Sequence, residues 1–203
     1  MLFKNKRRII IALSSVFILI LYFSRNFSAV ILFFIAIIAL LLFGYIDRSF
    51  KLQFPERFYI YIFIIFIFGT IIGEGMPPFG LYFRDIYYDK ILHFISPIMF
   101  SGIIFYILDR LDITLKWKLL MTVGLAFGIL GLFEIGEYLS DYFFGTIHQG
   151  VYIAQFAQAV KYQIKTQALD DTMRDLIFGL LGSVTFAAYI YGKRRLTDTS
   201  KPS

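Results

Sequence analysis

The chain has 203 residues, 59% of them hydrophobic and only 17% charged, with a mean hydropathy of +0.73. A soluble domain of this size needs far more polar surface, so the composition excludes that class and points to an integral membrane protein. The absence of cysteine excludes disulfides, iron–sulfur clusters and thiolate zinc sites, and says nothing of the compartment.

Apolar runs long enough to cross about 30 Å of hydrocarbon recur along the chain, and their length marks them as helices rather than barrel strands. Six are expected, over residues 9–23, 27–46, 58–75, 91–108, 118–139 and 172–192. Lys4, Lys6, Arg7 and Arg8 ahead of the first run also describe a secretory signal peptide. No convincing small-x-small cleavage site follows, so that run is retained as a helix. The fold class expected is therefore an all-α polytopic bundle. Three regions are expected: an N-terminal three-helix region (1–75), a C-terminal three-helix region (76–192) and a cytoplasmic tail (193–203), which is read as disordered after Gly192.

Basic residues accumulate in the short cytoplasmic segments of such proteins. Placing the N-terminus inside puts fourteen of the 20 basic residues there: Lys4, Lys6, Arg7, Arg8, Arg48, Lys51, Arg57, Arg110, Lys116, Lys118, Lys193, Arg194, Arg195 and Lys201. Arg25, Arg84, Lys90, Lys161, Lys165 and Arg174 remain outside. Both termini are then cytoplasmic, and the pI near 9.4 reflects topology rather than a nucleic-acid footprint. The outer loops are the elaborate ones. Residues 76–90 carry Pro77-Pro78 and the aromatic, charged run Tyr82 to Tyr88, a composition suited to lipid headgroups. In the loop 140–171, Ile153, Phe156, Ala157, Val160 and Ile164 recur at three- and four-residue spacing, which predicts an amphipathic helix lying on the outer surface.

Seven ionisable residues sit at the ends of apolar segments on that same outer side: Asp89, His93, Glu134, Glu137, Asp141, Asp171 and Asp175. Ionisable groups at membrane depth are costly, so they mark functional sites by default. Asp89 and His93 are four apart at the start of the fourth run, Glu134, Glu137 and Asp141 form an i, i+3, i+7 stripe at the end of the fifth, and Asp171 and Asp175 are four apart at the start of the sixth. Each set shares one helix face. Carboxylates and imidazole from facing helices suit a divalent cation such as Mg²⁺, Mn²⁺, Ca²⁺ or Zn²⁺. Without one, so many clustered carboxylates cannot all stay ionised, which leaves one able to act as a general acid with a neighbour as base. The bland readings stay open: Asp171 before Thr172 also reads as a helix cap, Asp89 and Asp175 as first-turn acids favoured by the helix dipole, Asp141 as solvated loop, and His93 as an interfacial histidine. Glu134 and Glu137 oppose the dipole at a helix C-terminus, and their structural alternative is an interhelical hydrogen bond. Glu74 and His148 lack a partner at helical spacing and read as incidental. Glycines at Gly124, Gly128 and Gly131, and at Gly179 with Gly182-Ser183, read as small faces for close helix packing.

The succession Tyr88-Asp89-Lys90-Ile91-Leu92-His93-Phe94, Phe133-Glu134-Ile135-Gly136-Glu137-Tyr138 and Asp171-Thr172-Met173-Arg174-Asp175-Leu176, with Gly182, resembles the YjdF-like membrane-protein family. Gly145-Thr146 and Gln149-Gly150 in the long loop fit the same pattern. The broader VanZ-like group is similar too, but its usual arginine after the glutamate segment and asparagine in the last helix are missing here, so its link to glycopeptide resistance is not carried over. The resemblance implies a bacterial cytoplasmic-membrane protein.

Two functions follow. One is metal-dependent chemistry on a lipid or lipid-linked envelope substrate, with Asp89, His93, Glu137 and Asp175 holding the ion, Glu134 or Asp171 moving a proton, and Arg84 and Arg174 binding the headgroup. The other is a non-enzymatic membrane protein whose cluster binds a cation or proton for structural or transport coupling. Membrane lipids are partners in either.

Overall fold

The structure is a computed structural model that describes Arg8, Ala12, Ser15 and residues 27–73, 80–83, 85, 87–145, 148–156 and 160–199. The run at 9–23 apart from Ala12 and Ser15, the loop from Glu74 to Phe79, and Arg84 lie outside the described residues.

The chain divides into two compact units, Met1–Arg84 and Asp85–Ser203. In the first, helix α1 (Phe27–Ser49) and helix α2 (Glu56–Phe66) form a hairpin, and α2 runs on into a π-helical turn, Ile67–Gly73. The bend between them is pinned by buried Asp47, which accepts hydrogen bonds from the Phe54 backbone N–H at 3.0 Å and the Tyr59 hydroxyl at 2.6 Å. A carboxylate out of water needs such donors, and here it receives one from the connecting segment and one from α2. Phe43 stacks on Phe54 at 4.7 Å and closes the aromatic wall around it.

The second unit carries three helices long and apolar enough to cross a membrane, α3 (Tyr88–Leu108), α4 (Leu115–Phe144) and α5 (Ala168–Thr199). Each packs against the other two. Their buried stripes follow helical periodicity: Lys90, His93, Pro97, Ser101 and Phe105 on α3, Leu119, Thr122, Ala126, Leu130 and Glu134 on α4, and Asp171, Asp175, Gly179, Gly182 and Ser183 on α5. Leu132, Phe133 and Ile135 face outward and are more than half exposed, as lipid-facing side chains are.

The glycine expectation divides between two helices. A Cβ at Gly182 would overlap the Phe94 carbonyl, and one at Gly179 would overlap the Leu130 side chain, so these glycines set how closely α5 approaches α3 and α4. Gly124, Gly128 and Gly131 are corrected: among the described residues nothing lies within 4 Å of a Cβ built there, because the buried stripe of α4 runs through Thr122, Ala126 and Leu130 instead.

Two further expectations are corrected. Among its described residues the loop after α4 forms not an amphipathic helix but an antiparallel hairpin of β1 (Val151–Phe156) and β2 (Val160–Thr166), paired Tyr152 with Ile164 and Phe156 with Val160. The sequence of β2 alternates Val160, Tyr162, Ile164 and Thr166 with Lys161, Gln163 and Lys165, a period of two carried by β-branched and aromatic residues. Counted across the turn with Ile153 and Phe156 of β1, this run imitates three- and four-residue spacing. The segment after Gly192, expected to be disordered, continues α5 as helix to Thr199.

Candidate functional site

Three helix ends meet at one end of the second unit. Helix α4 stops at Gly145, whose left-handed backbone (φ 63°) glycine adopts without strain. Chain reversal then lets Asp141 accept the backbone N–H groups of His148 and Gln149, both at 2.8 Å, while Gly150 donates its N–H to Asp171 at 2.9 Å and the Gln149 amide donates to the Thr172 hydroxyl at 3.1 Å. The segment 148–150 is thereby fastened to the ends of α4 and α5. Asp141 is thus a loop anchor. Asp171 is no helix cap, since α5 starts at Ala168 and the Asp171 N–H already bonds the Gln167 carbonyl at 2.9 Å.

Beneath that segment lies the ionisable cluster. The Lys90 ammonium, 8% exposed, donates to Asp89 at 3.0 Å, to both oxygens of Asp175 at 2.7 Å and to Asp171. An ammonium has three N–H donors, and here three carboxylates from two helices receive them. Asp171 and Asp175 are almost completely buried, and Asp89 keeps one edge open at 20% exposure. His93 stands between two carboxylates, with Nε2 3.3 Å from Asp89 and Nδ1 3.5 Å from Glu134. That second approach is not a hydrogen bond: His93 Nδ1 and Glu134 Oε1 are both buried without a hydrogen-bond partner. Such orphaned polar atoms carry a free-energy cost and mark a place for a proton, a water or an ion.

Pro97 adds a further acceptor. It has no N–H, so the His93 carbonyl one turn back is left without its helical donor, and that carbonyl lies against Gly179 of α5.

One ligand atom each from Asp89, His93 and Asp175 can be chosen so that all three lie within 4.8 Å of one another. That is a spacing three ligands of one divalent ion adopt. Glu137 is half-buried one turn beyond Glu134 and outside this triad. Arg174 points away into an ion pair with Asp170 at 2.9 Å, both 56% exposed.

Lys90 is the member that residue spacing missed. Counting it only as an outer basic residue hid its position three residues before His93, on the same buried stripe.

A bundle with lipid-facing apolar sides and a charged cluster buried between its helix ends is an integral membrane protein. The chain matches, over residues 6–195, the family described as predicted membrane protein (DUF2238), and it belongs to that family. No curated protein and no solved structure matches it.

Proposed function

We propose that this is a six-span, YjdF-like protein of the bacterial cytoplasmic membrane, with VanZ-like proteins as more distant kin and both termini in the cytoplasm. Its buried cluster faces the extracytoplasmic side and binds a divalent cation, which serves chemistry on a lipid or lipid-linked envelope substrate. The observation that carries this reading is the approach of ligand atoms from Asp89, His93 and Asp175 to within 4.8 Å of one another. Glu137 stands near enough in the helix to join them on rearrangement, and Glu134, with its unpartnered oxygen facing His93, is suited to take a proton. Asp171, engaged by Lys90 and Gly150, holds the frame. Arg174, and Arg84 from the preceding loop, supply positive charge for a headgroup phosphate.

The second reading, a cation- or proton-binding site without catalysis, is favoured by Lys90, which already neutralises part of the cluster and ties α3 to α5.

Thermal unfolding of purified protein with Mn²⁺, Mg²⁺, Zn²⁺ or a chelator tests the shared premise. At a hundredfold excess over Kd, a specific ion stabilises the fold by about 2.7 kcal/mol, and Asp175→Asn abolishes that gain. Glu137→Gln weakens it if that carboxylate joins the ion. If no ion moves the wild-type or Lys90→Met melting temperature, the metal reading falls.

A further inference from the structure

Asp89 and Asp175 occur twice in the geometry of the cluster. Together with His93 they form the candidate metal triad, and together with Asp171 they surround the Lys90 ammonium. The ammonium meets both oxygens of Asp175 at 2.7 Å and Asp89 Oδ2 at 3.0 Å. A divalent ion bound through the same two carboxylates has nowhere to sit except within a few ångströms of that positive charge, and like charges at such range in a poorly solvated site repel strongly. Whichever Asp175 oxygen a metal takes is one the ammonium already holds, so the two compete for Asp175, and they share the Asp89 carboxylate.

We infer that Lys90 is the resident cation of this cluster, and that a divalent ion enters only by displacing its ammonium from Asp89 and Asp175. This rests on the metal reading given above and adds its regulation. Two features fit an exchange between cations. His93 Nδ1 and Glu134 Oε1 remain buried without partners while Lys90 occupies the carboxylates, so the fold keeps ligand atoms in reserve that the ammonium does not use. Asp171 binds Lys90 through one oxygen and the Gly150 N–H through the other, so it can keep the ammonium within the site after Asp89 and Asp175 let go. The displaced lysine is then positioned, as a positive charge beside a bound metal, to meet an anionic substrate group such as a phosphate.

Mn²⁺ binding to full-length protein in detergent, for wild type, Lys90→Met and Lys90→Met/Asp175→Asn, tests the competition. Methionine keeps the length and packing of the stem and removes the charge. The expected result is binding at least about tenfold tighter in Lys90→Met than in wild type, with the gain lost in the double variant. Equal Mn²⁺ affinity in wild type and Lys90→Met overturns displacement while leaving a metal site in place. Absence of binding in both overturns the metal site itself, and the inference with it. If Lys90→Met does not fold, Lys90→Ala is assayed with n-propylammonium, which replaces the missing atoms. Recovery of the folded protein by n-propylammonium but not by tetramethylammonium, which has no N–H, supports the ammonium cage, and no recovery overturns it.

Discussion

Asp170 and Asp171 are neighbours in sequence with opposite surroundings. Asp170 pairs with Arg174 along the exposed side of α5, while Asp171 is 5% exposed and shared between Lys90 and the Gly150 N–H. An exposed i, i+4 pair contributes a few tenths of a kcal/mol, whereas a buried hydrogen bond between charged groups contributes about 1.5–3 kcal/mol. Asp170→Asn should therefore shift stability by no more than about 0.5 kcal/mol. Asp171→Asn keeps an acceptor for Gly150 but loses one of the three charges facing Lys90, and should cost about 2 kcal/mol. Chemical unfolding of the two variants side by side checks this, and equal stability would mean that the Asp171 charge adds nothing to the hold on Lys90. The one-face spacing of Asp89 with His93 and of Asp171 with Asp175 was legible in the sequence, because helical periodicity sets it. Which carboxylates Lys90 would take was not, because that depends on the rotation of α3 against α5, which spacing within one helix does not determine.

At the scale of elements, the same residue type has different consequences on different helices. Gly182 meets the Phe94 backbone, so a methyl group there must push α3 and α5 apart at the level just below the cluster. Gly182→Ala should cost about 1–3 kcal/mol, as overpacking of a tight contact does, and more if the backbones cannot yield. Gly128 faces open space among the described residues, so Gly128→Ala should leave stability unchanged or raise it by up to about 1 kcal/mol through helix propensity. Reversible unfolding in mixed micelles would compare them, and a Gly128→Ala loss matching that of Gly182→Ala would mean that α4 packs through its glycines after all. Both stripes read alike in sequence, since small-residue spacing marks a face able to pack without naming its neighbour. The hairpin at Val151–Thr166 escaped for a related reason: the alternation of β2, joined across a turn to a largely apolar β1, loses its period-two signal when the segment is read as one continuous element.

At the scale of the molecule, the second unit has charges of different kinds at its two ends. One end gathers Asp89, Glu134, Glu137, Asp171 and Asp175. The other carries Arg110, Lys116, Lys118, Lys193, Arg194 and Arg195, where Asp109 accepts Lys118 at 3.3 Å and Arg194 at 2.6 Å and so joins the three helices at that end. Three spans reverse the side of the membrane, so if the basic end is cytoplasmic, the chain enters this unit from outside and finishes it inside. An N-terminus on the cytoplasmic side then requires an odd number of spans before Asp85, which the apolar runs at 9–23, 27–46 and 58–75 supply. The chain has no native cysteine, so single substitutions report without background. Asp112→Cys, in the exposed turn between α3 and α4, should react with an impermeant maleimide only after the membrane is opened, and Lys165→Cys on β2 should react in intact cells. The reverse pattern would place the carboxylate cluster at the cytoplasmic face, where an outer-leaflet or envelope substrate is out of reach. Labelling of both in intact cells would mean that α3, α4 and α5 do not all span, and the orientation derived from their charges would fail with them.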